Sequence, residues 1–121
     1  MTTMNTVKAL MKKAGTGFLA TTDGRRPAVR PMAAYFWVGK ELWMATGAKS
    51  GKIADLRKKK AVEFCCMSAD YAFVRVAGTC TVSARLSDKK KMFAAFKWMK
   101  NYFVTVENPG WVVLRIKPSS V

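Results

Sequence analysis

Histidine is missing from all 121 residues. That removes Ser-His-Asp and Cys-His catalysis and most zinc sites, so no metal ligand set is expected. Acidic residues are scarce, 7 against 22 basic, which leaves a net charge of +15. A field this positive draws phosphate, nucleic acid or anionic membrane, and it says nothing about fold. Cysteine is limited to Cys65, Cys66 and Cys80, with no C-x-x-C pair. The neighbours Cys65 and Cys66 point to opposite faces of a strand, so all three read as strand residues in a reducing compartment. Long apolar runs are also lacking. Charges interrupt each one well before it could span a bilayer, and the start, MTTMNTVKALMKKAG, has no long apolar core followed by a cleavage site. The expected location is the cytoplasm, without membrane association.

What is present is ordinary for a folded globule. Half the residues are hydrophobic. The length suits one domain, expected to span residues 1–121. No internal repeat, linker or low-complexity tract divides it.

Residues 4–14 place Val7, Leu10, Met11 and Ala14 at helical spacing, with Lys8, Lys12 and Lys13 on the other faces. Gly15 and Gly17 end that helix. FLATT reads as a strand, and DGRR as a hairpin turn. PAVRPMAAYFWV reads as one long strand whose two prolines suit an edge or a bulge. GKE is a tight turn and LWMAT a third strand. A helix follows from Ser50 to about Lys60, capped by Ser50 and with Ile53 and Leu56 buried. Its cationic last turn suits the helix dipole. AVEFCCMS and AFVRVAGTCTVSA are strands, with Asp70 near the turn between them. SDKKKMFAAFKWMK is a third helix, capped by Ser87, with Met92, Phe93, Phe96 and Met99 as its apolar face. WVVLRI is the last strand. The order α-β-β-β-α-β-β-α-β, with tight turns between strands, predicts antiparallel pairing in a small six-stranded barrel, not a Rossmann sheet.

Two phosphate motifs fail on spacing. Residues 47–52 give G-x-x-x-G-K followed by Ile53, one residue short of a Walker loop and without its hydroxyl. Gly15 and Gly17, with Ala20 at the third position, begin a dinucleotide fingerprint, but a strand follows where a helix is required. The start of the middle helix is a simpler cradle. Free backbone N–H groups there, the Ser50 hydroxyl and the ammonium groups of Lys49 and Lys52 suit a phosphate monoester, against the alternative of a capped helix with solvated lysines. Arg30 stands in an otherwise apolar strand between Pro27 and Pro31. Such an arginine often has an anionic partner, the alternative being an edge arginine in water. By alternation it shares a face with Ala28 and Met32.

The stretch GFLATTDGRRPAVRPMAAYFWVGKELWMATGAKSGKIADLRKKKAVEFCC resembles the flavin-binding split-barrel superfamily, the pyridoxamine phosphate oxidase-like proteins. The resemblance rests on the order of a glycine-led FLAT strand, P-x-x-R-P-M, an aromatic strand, ATG-x-x-S-x-K entering a helix, and FVRVAGTCTV. It covers about residues 5–117. It implies a mainly β fold, a six-stranded antiparallel split β-barrel of the FMN-binding type, usually a homodimer with flavin mononucleotide (FMN) at the interface. It implies that Arg30, Lys49, Ser50 and Lys52 hold the phosphate. Pro31, Met32 and Ala33 would run beside the ring, and Ala45 and Thr46 near the ribityl chain or ring edge. A flavin-dependent oxidoreductase acting on an unidentified small molecule needs neither histidine nor paired carboxylates, because the flavin carries the redox chemistry. Trp37, Trp43, Trp98 and Trp111 are stacking candidates, with core packing expected for most of them. Pyridoxamine phosphate oxidases proper carry a longer C-terminal region with a substrate-binding arginine and histidine; this sequence has no histidine, so that specific activity is not expected. Another branch binds the deazaflavin F420, whose phosphate and polyglutamate tail would also suit a basic protein. The competing readings are a nucleic-acid or polyanion-binding module, drawing on the basic runs 57–60 and 89–91, and a dimeric domain without cofactor.

Overall fold

The computed structural model describes residues 4–103 and 105–121. The helix α1 (Met4–Ala14) buries Val7 and Met11. Gly15, at φ 76°, then turns the chain where a side chain would be strained. Two strands follow, β1 (Gly17–Thr22) and β2 (Pro27–Met32), joined by a turn in which the Asp23 carboxylate accepts the N–H groups of Arg25 and Arg26. Next come β3 (Tyr35–Val38), β4 (Glu41–Gly47), α2 (Gly51–Lys58), β5 (Ala61–Met67) and β6 (Phe73–Ser83). The chain ends with α3 (Leu86–Ala95), a 3-10 turn (Lys97–Met99), α4 (Lys100–Phe103) and β7 (Trp111–Ser120).

The strands form a single antiparallel sheet in the order β2-β1-β5-β6-β7-β4-β3. The segment expected as one long strand is therefore two, β2 and β3, and they are the two edges of the sheet. Only Ala33 and Ala34 separate them. An edge-to-edge link this short forces the sheet to curl into a barrel. Counting the segment twice gives seven strands among the described residues where six were expected, with the split-barrel architecture unchanged. The prolines sit where edge placement leaves their missing N–H harmless: Pro27 and Pro31 pair with β1 on one side only.

Alternation fills the barrel. Leu19, Phe64, Val76, Leu42, Met44, Leu114 and Ile116 point inward with no exposed area. The rings of Tyr35 on β3 and Phe64 on β5 meet at 4.8 Å, although these strands are far apart in the sheet order. Ile53 and Leu56 of α2 join this core with Val7 and Met11 of α1. A second cluster lies on the outer face of β4 and β7, where Trp43, Trp111 and Val113 pack against Met92 and Met99. This explains why β7 is buried on both faces from Trp111 to Leu114. Each such side chain contributes roughly 1.5–3 kcal/mol by leaving water.

The helix ends differ from expectation. Ser50 is the N-cap residue of α2, but its side chain makes no capping bond, and the helix stops at Lys58. Arg85, not Ser87, occupies the N-cap of α3. The acceptor role there passes to Ser83, whose hydroxyl donates to Asp88 at 2.6 Å and receives the Arg85 N–H at 3.3 Å. Asp88 also meets Arg115, which pairs with Glu41 at 2.9 Å. The helix expected over 87–100 breaks at Phe96 into three pieces. The three thiols are free, with Cys66 and Cys80 buried and Cys65 half-buried on the opposite face of β5. No helix among the described residues is long and apolar enough to cross a membrane.

Candidate anion cradle and adjoining cavity

The loop from β4 into α2 is pinned at both ends. The Ala48 N–H donates to the Gly110 carbonyl at 2.8 Å, and Ser50 N–H to Gly47 at 3.2 Å. The helix is tethered below by Thr21, whose hydroxyl donates to Asp55 at 2.8 Å. Its buried stripe, Ile53 and Leu56, fixes its rotation. These restraints aim the N-terminus of α2 at β2.

Arg30 reaches that N-terminus from β2. A Cβ added to Gly51 would lie 2.9 Å from its Nη2 atom, so the glycine makes room for the guanidinium. Lys52 is turned inward and only 7% exposed. Burial, then the Arg30 charge beside it, lowers its pKa. Among the described residues neither cation has an acidic partner. The Ser50 hydroxyl oxygen is buried and has no hydrogen-bond partner among the described residues. Two cations and an unsatisfied hydroxyl thus meet at the positive end of a helix dipole. A buried polar atom without a partner costs free energy that a bound anion would recover.

Lys52 also lines a cavity of about 370 Å³. Pro31, Met32, Ala33 and Ala34 form one wall and Ala45 and Thr46 another. Trp98, Met99 and Phe103 close it from the 3-10 turn and α4. Of the nine residues singled out from sequence, Pro31, Met32, Ala33, Ala45, Thr46 and Lys52 line this cavity, with Arg30 and Ser50 grouped at the helix end beside it. Lys49 is exposed and does not line the cavity. Sequence reasoning missed Met99 as a cavity wall because its apolar spacing reads as core, and Phe103 because it lies beyond the expected helix. Of the four tryptophans, Trp43 and Trp111 are core, while Trp98 borders this cavity. Of the basic run 89–91, Lys89 is buried. Its ammonium donates to the Asn108 carbonyl at 2.9 Å and lies 5.0 Å from the Trp111 ring centre.

The fold has many solved relatives. A NimC/NimA family protein from Clostridium acetobutylicum superposes with TM-score 0.83 at 24% identity, over 93% of this chain and 81% of that one. General Stress Protein 26 from Bacillus anthracis gives 0.78 at 23%, over 91% and 84%. A structure described as an F420 reductase gives 0.70 at 20%, over 93% of both chains. At these identities the likeness shows the fold. No curated protein matches the chain. The family model described as pyridoxamine 5'-phosphate oxidase matches residues 4–121. With nearly the whole sequence matched, and the split barrel in place, this chain belongs to the pyridoxamine 5'-phosphate oxidase family.

Proposed function

We propose that the chain binds FMN and serves as a flavin-dependent oxidoreductase for a small molecule. The observation that carries this reading is the buried, unpartnered Ser50 hydroxyl beside two acid-free cations, opening onto a cavity walled by backbone and small side chains. The cradle fits a phosphate, with Arg30, Ser50 and Lys52 holding it and Lys49 adding charge from the loop. The cavity fits a flat ring lying along Pro31, Met32 and Ala33, with Ala45 and Thr46 at its edge. The flavin supplies the redox-active ring when bound. The chain's own part is to bind, orient and exclude water: the two cations neutralise the phosphate, α2 directs its dipole toward it, and Trp98 and Phe103 shield the cavity.

Two copies pairing through an outward band of the barrel would complete this site. Phe18, Val29, Met67 and Phe73 are each at least half exposed on the outer face of β1, β2, β5 and β6 respectively. Pro31, the cross-strand neighbour of Phe18, belongs both to that band and to the cavity wall. A second copy seated there would cover the cavity mouth. Replacing Phe18 and Phe73 by glutamate is expected to give monomers in sedimentation and weaker flavin binding. A wild-type protein that sediments as a monomer at all concentrations would end the pairing reading.

The test of the cofactor is an absorbance spectrum before and after incubation with FMN and desalting. Retained flavin bands support the reading, and a flat spectrum refutes it. The F420 alternative draws support from the fold shared with the F420 reductase and from the surplus of positive charge. Retention of F420 in place of FMN in the same assay would select it. Polyanion binding that falls steeply with salt, without flavin uptake, would select the nucleic-acid reading.

A further inference from the structure

A second cavity, of about 520 Å³, lies between α1, β3 and the end of α3. It touches the first cavity at Ala33, which lines both. Its walls are aromatic and held in place. The Tyr35 hydroxyl donates to the Met11 carbonyl at 2.9 Å, and the Trp37 indole N–H donates to the Met11 sulfur at 3.2 Å. Phe36 and Phe96 meet edge to face at 5.5 Å. The walls are thus organised before any ligand arrives.

The polar groups facing this cavity are unequal. Met11 engages the two aromatic donors. What remains free is cationic: Lys8 and Lys12, one helical turn apart on α1, both line the cavity. Lys8 sits 6.0 Å from the Trp37 ring centre. Helix α1 contains no acidic residue, and among the described residues no carboxylate pairs with either lysine. Like charges at this spacing destabilise a helix by a few tenths of a kcal/mol, and an anion between them reverses the sign. Purely solvated lysines would not account for a preorganised apolar cavity beneath them.

We propose that this cavity, which crosses the edge strand β3 with Trp37 on one face and Phe36 and Phe96 on the other, binds a planar aromatic acid, its anionic group between the ammonium groups of Lys8 and Lys12. In identifying this ligand as the substrate the proposal rests on the flavin reading, because Ala33 places it next to the expected ring. As a binding site it stands without that reading.

The probes are 2-naphthoate and its neutral isostere 2-naphthamide, titrated into the full chain with and without FMN. Binding is followed through the tryptophan indole N–H resonances, assigned by replacing each tryptophan in turn. Naphthoate is expected to shift the Trp37 resonance more than that of Trp98, whose ring meets Phe96 at 6.1 Å. It should bind about fivefold more tightly than the amide, the scale of an exposed charge pair. The double substitution Lys8→Gln and Lys12→Gln, on exposed positions, should remove that advantage while the circular dichroism of the helices is kept. Equal affinity for acid and amide, a larger shift at Trp98 than at Trp37, or no binding of naphthoate would each overturn the proposal. Naphthoate binding without FMN uptake would keep this site and remove the flavin reading, and FMN uptake without naphthoate binding would do the reverse.

Discussion

Replacing Lys52 by methionine should move two observables in opposite directions. In the protein without ligand, Lys52 is a nearly buried ammonium facing Arg30, and no acid among the described residues pairs with it. Methionine keeps most of the volume and removes the charge. The expected gain in stability is about 1 kcal/mol, well below the penalty for a fully buried, unrelaxed charge, because the ammonium still borders the open cavity. For a chain of this size that is about 4 °C in Tm. The pH dependence has a definite sign. Burial lowers the lysine pKa below that of the unfolded chain, so the charged form is penalised on folding. That penalty is full at neutral pH, shrinks as pH rises through the folded-state pKa, and is gone above the unfolded value of 10.5. The stability gap between Lys52→Met and wild type should therefore narrow as the pH is raised. FMN affinity should fall at the same time, by roughly 10- to 150-fold, since a charge-assisted contact to phosphate contributes about 1.5–3 kcal/mol. Thermal melts followed by circular dichroism, and a flavin fluorescence titration, read the two effects separately. A less stable Lys52→Met with unchanged FMN affinity would refute the cradle and make Lys52 a packing residue whose stem matters more than its charge.

The remaining predictions concern the same site and its scaffold. Arg30→Ala should weaken FMN binding by a similar factor, whereas Lys59→Ala and Lys60→Ala, beyond the far end of α2, should leave affinity nearly unchanged in the same titration. Ser50→Ala should not destabilise the ligand-free protein in urea, since the hydroxyl has no partner to lose, but it should cost FMN affinity; lower ligand-free stability would mean the hydroxyl bonds elsewhere. Gly78→Ala places a Cβ 2.3 Å from the Lys117 carbonyl oxygen at the bulge between β6 and β7, and should cost about 1–3 kcal/mol in urea unfolding. An unchanged midpoint there would show that the two strands can part without loss.

Much of this molecule is legible in one dimension. Val7 and Met11 at helical spacing, the alternation in FLATT and AVEFCC, and the Asp-Gly turn each state a local period and a buried face. Those local rules place α1, β1, β5 and the start of α2 correctly. They fail where the deciding contact is distant. PAVRPMAAYFWV reads as one strand because nothing within it shows that β2 and β3 must pair at opposite edges. Lys49 and Lys52 read alike as helix-start lysines. Only the packing of Ile53 and Leu56 turns Lys52 inward and leaves Lys49 in water. Lys89 reads as one of three solvent lysines, yet it lies over Trp111.

Periodicity and composition are local, and they were enough for the antiparallel split barrel and for excluding histidine chemistry. Long-range packing selects the cation that meets the helix end, closes the first cavity with Trp98, Met99 and Phe103, and sets Lys8 and Lys12 over a second one walled by β3. Cavities form between elements far apart in the chain. Their lining depends on strand order and helix rotation, which no local period encodes.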